Sequence, residues 1–392
     1  MLLRTALSLA MVVSLVLSAA ATRADEAPGG TIRFKKIELD RTFRSEGVAI
    51  GDFNNDGLLD VATGSVYYAA PDWKMHVIAE EAKQFDPRHY SDSFCNFAVD
   101  VNGNGWLDLI VVDFPGKETW WFENPRGSVG PWKRHVLTPE TNNESPDMHD
   151  ITGDGRRELI LGIADGQMAI ARPNDDPYAL WDLLPISTPK APGTNRFSHG
   201  LGVGDINGNG RNDVVVPEGW WEHPADGRTP WKFHPAPLGE PCAHMYVYDF
   251  DGDGDNDVLS SSAHAYGVWW HEQTPEGWKT HEIATDFSQT HSMCMADING
   301  DGLPDFVTGK RWWAHAEHDP GAKEDAVLYW FELTRKDGRP VWIRHLIDHD
   351  SGVGTQFEIG DINGDGLLDI VTANKKGARI FLQQREEPAA GQ

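Results

Sequence analysis

The stretch Thr290–Asp305, THSMCMADINGDGLPD, joins a short apolar segment to a loop of acids and glycines. In this loop Asp297, Asn299, Asp301 and Asp305 place side-chain oxygens at positions 1, 3, 5 and 9. Calcium takes about six to eight oxygen ligands in flexible geometry, and a glycine at position 6 permits the tight turn around an ion. The loop therefore predicts a calcium site at the end of a β-strand.

The same loop pattern occurs seven times along the chain, with successive copies starting 44 to 64 residues apart. That spacing is typical of propeller blades, which are built from units of about 40–50 residues. Residues of this kind also form ordinary turns without metal, but an acid at position 9 in every copy favours calcium. The predicted calcium ligands are Asp52, Asn54, Asp56, Asp60, Asp100, Asn102, Asn104, Asp108, Asp150, Thr152, Asp154, Glu158, Asp205, Asn207, Asn209, Asp213, Asp249, Asp251, Asp253, Asp257, Asp297, Asn299, Asp301, Asp305, Asp361, Asn363, Asp365 and Asp369.

A second repeat, an aromatic-led strand that usually reads W-x-x-H, alternates with the loops. Six such segments accompany seven loops, and Ile32–Leu39 (IRFKKIEL) has the pattern of the missing one. We therefore expect an all-β fold, a seven-bladed β-propeller with the calcium loops on one face. In this prediction the N-terminal strand closes the propeller by pairing with Ala378–Leu382 in the last blade, which hides two sheet edges. The histidines of the W-x-x-H strands are interpreted as packing elements.

The N-terminal segment has the pattern of a secretory signal, in which Arg4 precedes an apolar run that ends near Ala21. Cleavage is expected near Ala21 or Ala24, so the protein is predicted to be secreted or periplasmic. The predicted organisation is a signal peptide at 1–24, a short tail at 25–30, the propeller at 31–384 and a flexible tail at 385–392.

The charge balance limits the possible partners. The 392 residues include 60 acids and 34 Lys or Arg, which gives a formal net charge of −26. This acidity argues against nucleic acid and anionic membranes as partners, and no run outside the signal approaches the ~20 apolar residues of a spanning helix. Only three cysteines are present, so core burial and metal, rather than disulfides, are expected to stabilise the fold.

Three histidines precede the loops of successive units at nearly equal distances. His199 and His291 lie six residues before their loops, and His244 lies five before its loop; Glu46 and Glu144 take the six-residue position in two other units. These side chains are predicted to meet at the mouth opposite the calcium loops. Three imidazoles, or two with a carboxylate, suit a zinc-like ion with an open coordination position. The alternative, that each histidine only satisfies backbone groups, stays open.

Connections expected on the same face supply further candidates. They include Glu218, His264, Lys310 and Arg311. Both cations belong to the long insertion GKRWWAHAEHDPGAKED, which also contains His315. Insertions above a rigid scaffold are common places for binding sites.

Seven D-x-[DN]-x-[DN]-G-x-x-[DE] loops on β-units resemble the FG-GAP and VCBS repeat families, which include the propeller of integrin alpha chains. The segments THSMCMADINGDGLPDFVTG and SSAHAYGVWW are similar to the propeller domain of fungal aldos-2-ulose dehydratases. The first resemblance implies a calcium-stabilised propeller, and the second implies a metal-dependent lyase that acts on a keto-sugar or related carbohydrate. The second resemblance also implies that His264 or Glu218 acts as a base and that Lys310 and Arg311 contact substrate oxygens. The alternative function is non-catalytic binding of a carbohydrate or of another extracellular protein.

Overall fold

The computed structural model describes residues 31–386, and β-strands dominate that range. The only helical element in this range is the 3-10 turn Ala164–Gly166. None of the described helical structure has the length and hydrophobicity that a membrane crossing requires. The predicted signal peptide and the tail at 25–30 lie outside the described residues. The predicted tail at 385–392 begins too early, because the last strand continues to Glu386.

The first half of the described chain contains strand β1 and three repeat units of four strands each. These strands are β1 (Thr31–Asp40), β2 (Ala49–Gly51), β3 (Asp60–Thr63), β4 (Val66–Ala69), β5 (Lys74–Val77), β6 (Cys95–Val99), β7 (Asp108–Val112), β8 (Lys117–Glu123), β9 (Lys133–Thr141), β10 (Asp147–His149), β11 (Glu158–Ile163), β12 (Gln167–Arg172) and β13 (Asp182–Pro185).

The second half contains the fourth to sixth units and three strands of the seventh. These strands are β14 (Leu201–Gly204), β15 (Asp213–Val216), β16 (Gly219–Glu222), β17 (Lys232–Pro235), β18 (His244–Tyr248), β19 (Asp257–Ser261), β20 (Tyr266–Thr274), β21 (Gly277–Ser288), β22 (Met293–Ala296), β23 (Asp305–Gly309), β24 (Leu328–Lys336), β25 (Arg339–Asp348), β26 (Glu358–Gly360), β27 (Asp369–Asn374) and β28 (Gly377–Glu386). Within each unit neighbouring strands are antiparallel, and the acidic loop connects the first strand to the second.

The sheets form a β-propeller, but the prediction of seven separate blades is wrong. Five sheets have four strands, and one has eight because β14 and β18 pair in parallel. Leu201 lies opposite His244 in this pair, and Gly202 lies opposite Met245. Glycine explains the merger, since a Cβ on Gly202 would collide with the carbonyl oxygen of Met245. A residue without a side chain lets these two backbones approach.

The N-terminal strand supplies the outer strand of the last sheet. β1 pairs antiparallel with β28, from Thr31 opposite Glu386 to Asp40 opposite Ala378. The predicted partner of Ile32–Leu39 is therefore confirmed, but the pairing does not show that this strand closes the propeller. The first strand of this sheet, β26, lies beside both β22 and β2.

The W-x-x-H histidines pack against aromatic residues of the neighbouring strand. The His234 ring stacks on Trp220 with centroids 4.1 Å apart, and its Nε2 lies 2.7 Å from Glu222 Oε2. The same combination of a stacked tryptophan and a bonded glutamate occurs at His135, His281 and His345. The interpretation of these histidines as packing elements is confirmed, so they are not candidates for catalysis.

Candidate metal centre

Glu144, His199 and His291 meet near the starts of their units' first strands. One ligand atom from each lies within 4.8 Å of the others, and all three residues are buried. Each is the residue six positions before an acidic loop. The repeat geometry therefore brings equivalent positions of different units to one point.

Backbone carbonyls fix the orientation of the two imidazoles. His199 Nδ1 lies 2.8 Å from the carbonyl oxygen of Phe197, and His291 Nδ1 lies 3.1 Å from that of Gln289. A carbonyl oxygen only accepts, so each Nδ1 is the donor and each neutral ring has its lone pair on Nε2. Metal-binding histidines are commonly held this way, by a carbonyl or carboxylate behind the ring.

The Nε2 atoms of these rings face unsatisfied groups. His199 Nε2 lies 3.3 Å from Glu144 Oε2, and neither atom has a hydrogen-bond partner in protein; His291 Nε2 has none either. Facing lone pairs repel unless a cation lies between them. A proton is one such cation, because Glu144 outweighs the effect of burial and raises the pKa of His199. A divalent metal is another, and the donor set of two imidazoles and one carboxylate suits zinc.

Arg311 lies behind this donor set and not at a substrate position. Its guanidinium pairs with Glu46, lies 3.6 Å from Glu144 Oε2 and is 5.6 Å from the ring centroids of Tyr90 and Phe94. The side chain is 1% exposed, and burial lowers the pKa of Arg311 to about 9. Its direct partner is the buried carboxylate of Glu46, in contrast to the predicted contact with substrate oxygens.

A second group of polar side chains lies on the solvent side of the donor set. His264 and His315 belong to it, and together with His291 they form another arrangement with three ligand atoms within 4.8 Å. His315 Nδ1 lies 2.5 Å from Asp319 Oδ2 and 3.3 Å from His264 Nδ1. Burial, followed by the His199 and His315 imidazoles, lowers the pKa of His264. His264 is 38% exposed and is the member most open to a ligand.

The structure does not bring His244 into the cluster. His244 is buried near Asp147 and His149, and burial is the largest cause of its lowered pKa. It lies five residues before its loop, whereas His199 and His291 lie six before theirs. Side chains alternate between faces of a strand, so a shift of one residue reverses the direction of the side chain.

Two other predicted residues also lie apart from the cluster. Lys310 is buried, and its Nζ donates to the carbonyl oxygens of Gly321 and Glu324, the latter at 2.9 Å. Lys310 therefore fastens the insertion between β23 and β24. Glu218 is exposed between β15 and β16. Of the four predicted catalytic residues, only His264 is placed to reach a molecule bound at the cluster.

The sequence did not lead us to assign a function to His315 or Asp319, which both belong to the site. Glu144 was noted from the sequence but was not assigned as a ligand. The signal for Glu144 was its six-residue offset, the same as that of His199 and His291. Asp319 had no such signal, because the insertion that carries it has no counterpart in the other units.

The acidic loops are closed by hydrogen bonds to their first aspartate. At Asp297, for example, Oδ1 accepts from the backbone of Asp301 at 3.0 Å and Oδ2 from that of Gly302 at 2.8 Å. In two loops three carboxylates also approach within 4.8 Å of one another, a spacing that fits a shared cation. These groups are Asp150, Asp154 and Glu158, and Asp249, Asp251 and Asp257.

The ninth-position acid of each loop is buried and bonded to backbone. Asp305 accepts from Ile298 at 3.1 Å and from Leu333 at 2.8 Å, so it ties the loop to β24. Burial raises the pKa of this carboxyl to about 7. The pKa values of the equivalent aspartates are also raised by burial, to about 6 or about 7, at Asp60, Asp108, Asp213, Asp257 and Asp369.

The family comparison agrees with the repeat pattern. An FG-GAP-like repeat model matches residues 100–161, 150–216 and 249–308. The chain contains FG-GAP-like repeats. No curated protein matches the sequence. The similarity to aldos-2-ulose dehydratases stays a prediction.

The chain is similar to several solved structures at low sequence identity, and one of those reported below has a TM-score above 0.5. A structure of BBS1N in complex with ARL6DN has a TM-score of 0.53 and 12% identity, covering 92% of this chain and 98% of that chain. An Agrocybe aegerita lectin that recognises non-reducing terminal N-acetylglucosamine has a TM-score of 0.49 and 14% identity, covering 90% of this chain and 99% of that chain. The rhamnogalacturonan lyase YesW has a TM-score of 0.45 and 12% identity, covering 88% of this chain and 75% of that chain. At these identities the likeness concerns the fold alone.

Proposed function

We propose that Glu144, His199 and His291 hold one divalent transition-metal ion and that the pocket around them catalyses elimination from a keto-sugar or related carbohydrate. The observation that carries the proposal is the pair of unsatisfied, carbonyl-oriented Nε2 atoms beside an unsatisfied carboxylate oxygen. When bound, such an ion supplies Lewis-acid chemistry that polarises a carbonyl and acidifies the adjacent C–H bond.

The inner set fits the ion better than the set that includes His264 and His315. Its three donors are buried, two have fixed tautomers, and Glu144 contributes the negative charge that balances part of a divalent cation. In the outer set, by contrast, His315 Nδ1 is already engaged by Asp319. We therefore assign the outer residues to proton transfer.

His264 and His315 are placed to move protons during elimination. Asp319 Oδ2 lies 3.5 Å from His264 Nδ1, so a proton on that nitrogen leaves Nε2 free to remove the proton next to the sugar carbonyl. As the carbon–oxygen bond breaks, His315, which Asp319 holds through Nδ1, donates a proton to the departing hydroxyl. A carbon–carbon double bond forms and water leaves. His264 gains one proton and His315 loses one, and exchange with solvent restores both.

Metal analysis and an elimination assay test this proposal together. We expect about one zinc or similar ion per chain after dialysis, and loss of that ion in Glu144→Ala and His291→Ala. Both variants should lose at least ~100-fold in formation of the conjugated product, followed by ultraviolet absorbance, since metal-ligand contacts control both binding and chemistry. His244→Asn is the matched control, because His244 is buried nearby but outside the donor set.

Three results would contradict this proposal. Stoichiometric metal in His291→Ala, or metal loss in His244→Asn alone, would contradict the ligand assignment. A protein that lacks transition metal and activity would favour the alternative of a non-catalytic binding propeller, with His199 protonated against Glu144.

Calcium in the acidic loops is a separate part of the proposal. The closed loop backbone, the carboxylate groups near Asp150 and Asp249, and the sevenfold repetition support it. In this assignment calcium stabilises the propeller and takes no part in the reaction.

A further inference from the structure

A cleft of about 690 Å³ between the last sheet and the insertion combines several cations in an otherwise acidic protein. Its lining includes Lys36, Arg41, Lys375, Lys376 and Arg379, and we call it the cationic cleft. Three of these cations have carboxylate partners. Lys36 pairs with Asp348 at 2.9 Å, Arg41 with Glu38 at 2.5 Å, and Lys376 with Asp350.

Lys375 and Arg379 form no ion pair with any of the residues 31–386, although they are only 3% and 4% exposed. Lys375 Nζ donates to the carbonyl oxygen of Trp313 at 3.0 Å and lies 4.3 Å from the Tyr90 ring centroid. Arg379 Nη2 donates to the carbonyl oxygen of Lys376 at 2.7 Å, while its Nε and Nη1 have no protein partner. Glu144 acts on Lys375, and Glu38, Asp348 and Asp350 act on Arg379, but none of these carboxylates forms a direct ion pair with either cation. A buried cation without a direct ion pair is costly, so this arrangement favours an anion.

Burial, which is the largest effect, and the nearby Arg311 lower the pKa of Lys375 to about 7. The negative charge of Glu144 opposes this shift without cancelling it. The half-buried Trp312 ring also lines the cleft, 5.3 Å from Lys376 Nζ. The accessible part of this indole, next to cations, offers an apolar surface on which a sugar ring packs. The cleft thus combines sites for a negative charge and for a ring.

We propose that the cationic cleft binds a sugar that carries an oxyanion, with the anion between Lys375 and Arg379 and the sugar ring against Trp312. A carboxylate and a phosphate ester are the two chemical sources of such an oxyanion. Bidentate contact with a planar guanidinium suits either group. Neither Glu144 nor the histidines of the cluster belong to its lining, so this site and the proposed metal site share no residue.

Calorimetric titration with three probes tests the proposal: galacturonate, galactose 6-phosphate and neutral galactose. At least one acidic probe should bind about tenfold or more tightly than galactose, as expected for charge-assisted hydrogen bonds. The stronger of the two acidic probes identifies the source of the oxyanion. Equal affinity for all three probes, or no binding by either acidic probe, would overturn the proposal.

Variants locate the binding. Lys375→Met keeps an apolar stem in the buried position and should weaken binding of the acidic probe about tenfold, while Lys376→Gln tests the more accessible side of the cleft if the first variant folds poorly. Lys336→Gln is the matched control, since it removes one positive charge from an exposed site on β24. His291→Ala should retain the affinity, which separates this site from the proposed metal. Wild-type affinity in folded Lys375→Met and Lys376→Gln would exclude the cleft.

Discussion

The acidic loops and the central cluster use the same repeat in opposite ways. Each loop repeats one arrangement, in which the first aspartate closes the turn and the ninth acid bonds to a later strand. The position six residues before the loop varies instead: it is Glu46, Phe94, Glu144, His199, Ala243, His291 and Thr355 in chain order. The loop positions, which are the same in every unit, thus build the scaffold. The position six residues before the loop differs between units and supplies the side chains of the site.

The largest expected effect comes from removing calcium, which we propose for the loops alone. An ion that binds only the folded state contributes about 2.7 kcal/mol per site at a hundredfold excess over its Kd, and several loops contribute together. The melting temperature in EGTA should therefore fall strongly relative to calcium buffer, measured by circular dichroism. An unchanged melting curve would mean that the loops are metal-free turns.

The next effect concerns a single ninth-position acid. Asp305→Ala removes the acceptor for two buried backbone N–H groups, at Ile298 and Leu333, and should lower the free energy of unfolding by about 3 kcal/mol. Urea denaturation measures the loss, and Asp305→Asn, which retains one oxygen acceptor, should lose less. If the urea midpoint of Asp305→Ala equals that of the wild type, the ninth-position acid does not stabilise the scaffold. The proposed structural difference between the loops and the cluster would then be wrong.

The insertion that carries His315 and Asp319 should depend on Lys310. Lys310→Met leaves two carbonyl oxygens, of Gly321 and Glu324, without their donor and should cost about 1–2 kcal/mol. Amide hydrogen exchange should rise in residues 312–325 and stay unchanged in the acidic loops. If amide exchange in residues 312–325 is the same in the wild type and in Lys310→Met, Lys310 does not fasten the insertion.

A further expected effect is a pH dependence that differs between calcium-free and calcium-loaded protein. Six ninth-position aspartates have folded pKa values raised to about 6 or about 7, from 3.8, by burial. Between the unfolded and folded pKa values the folded state binds more protons than the unfolded state. Stability in EGTA should therefore fall as pH rises from about 4 to about 7.

Bound calcium should weaken or reverse this trend, because it favours the charged carboxylates. Thermal melts at pH 5 and pH 7, with calcium and with EGTA, provide the measurement. Asp305→Asn, which cannot titrate at that position, should show a shallower slope in EGTA. A calcium-free protein that gains stability over this range would contradict the assignment of these carboxyls as protonated groups.

Repetition explains which features were predictable. Patterns that occur several times in the sequence predicted the loops and the W-x-x-H packing. The pairing of β1 with β28 was predictable because the last unit lacks an outer strand of its own. The merger of two units at Gly202 was not predictable, because it depends on how closely neighbouring units approach. The failure at His244 came from treating offsets of five and six residues as equivalent, although alternation along a strand separates them.

The pairing of β1 with β28 has a consequence for the order of events during synthesis. Within the described residues 31–386, residues 31–40 are made first and their hydrogen-bonding partners at 378–386 are made last. A nascent chain therefore keeps the edge of β1 without this partner until nearly all of the described chain has been translated. Such long-range pairing slows folding and prolongs exposure of a strand edge to other chains. Truncation a few residues before Gly377 would leave that exposure permanent.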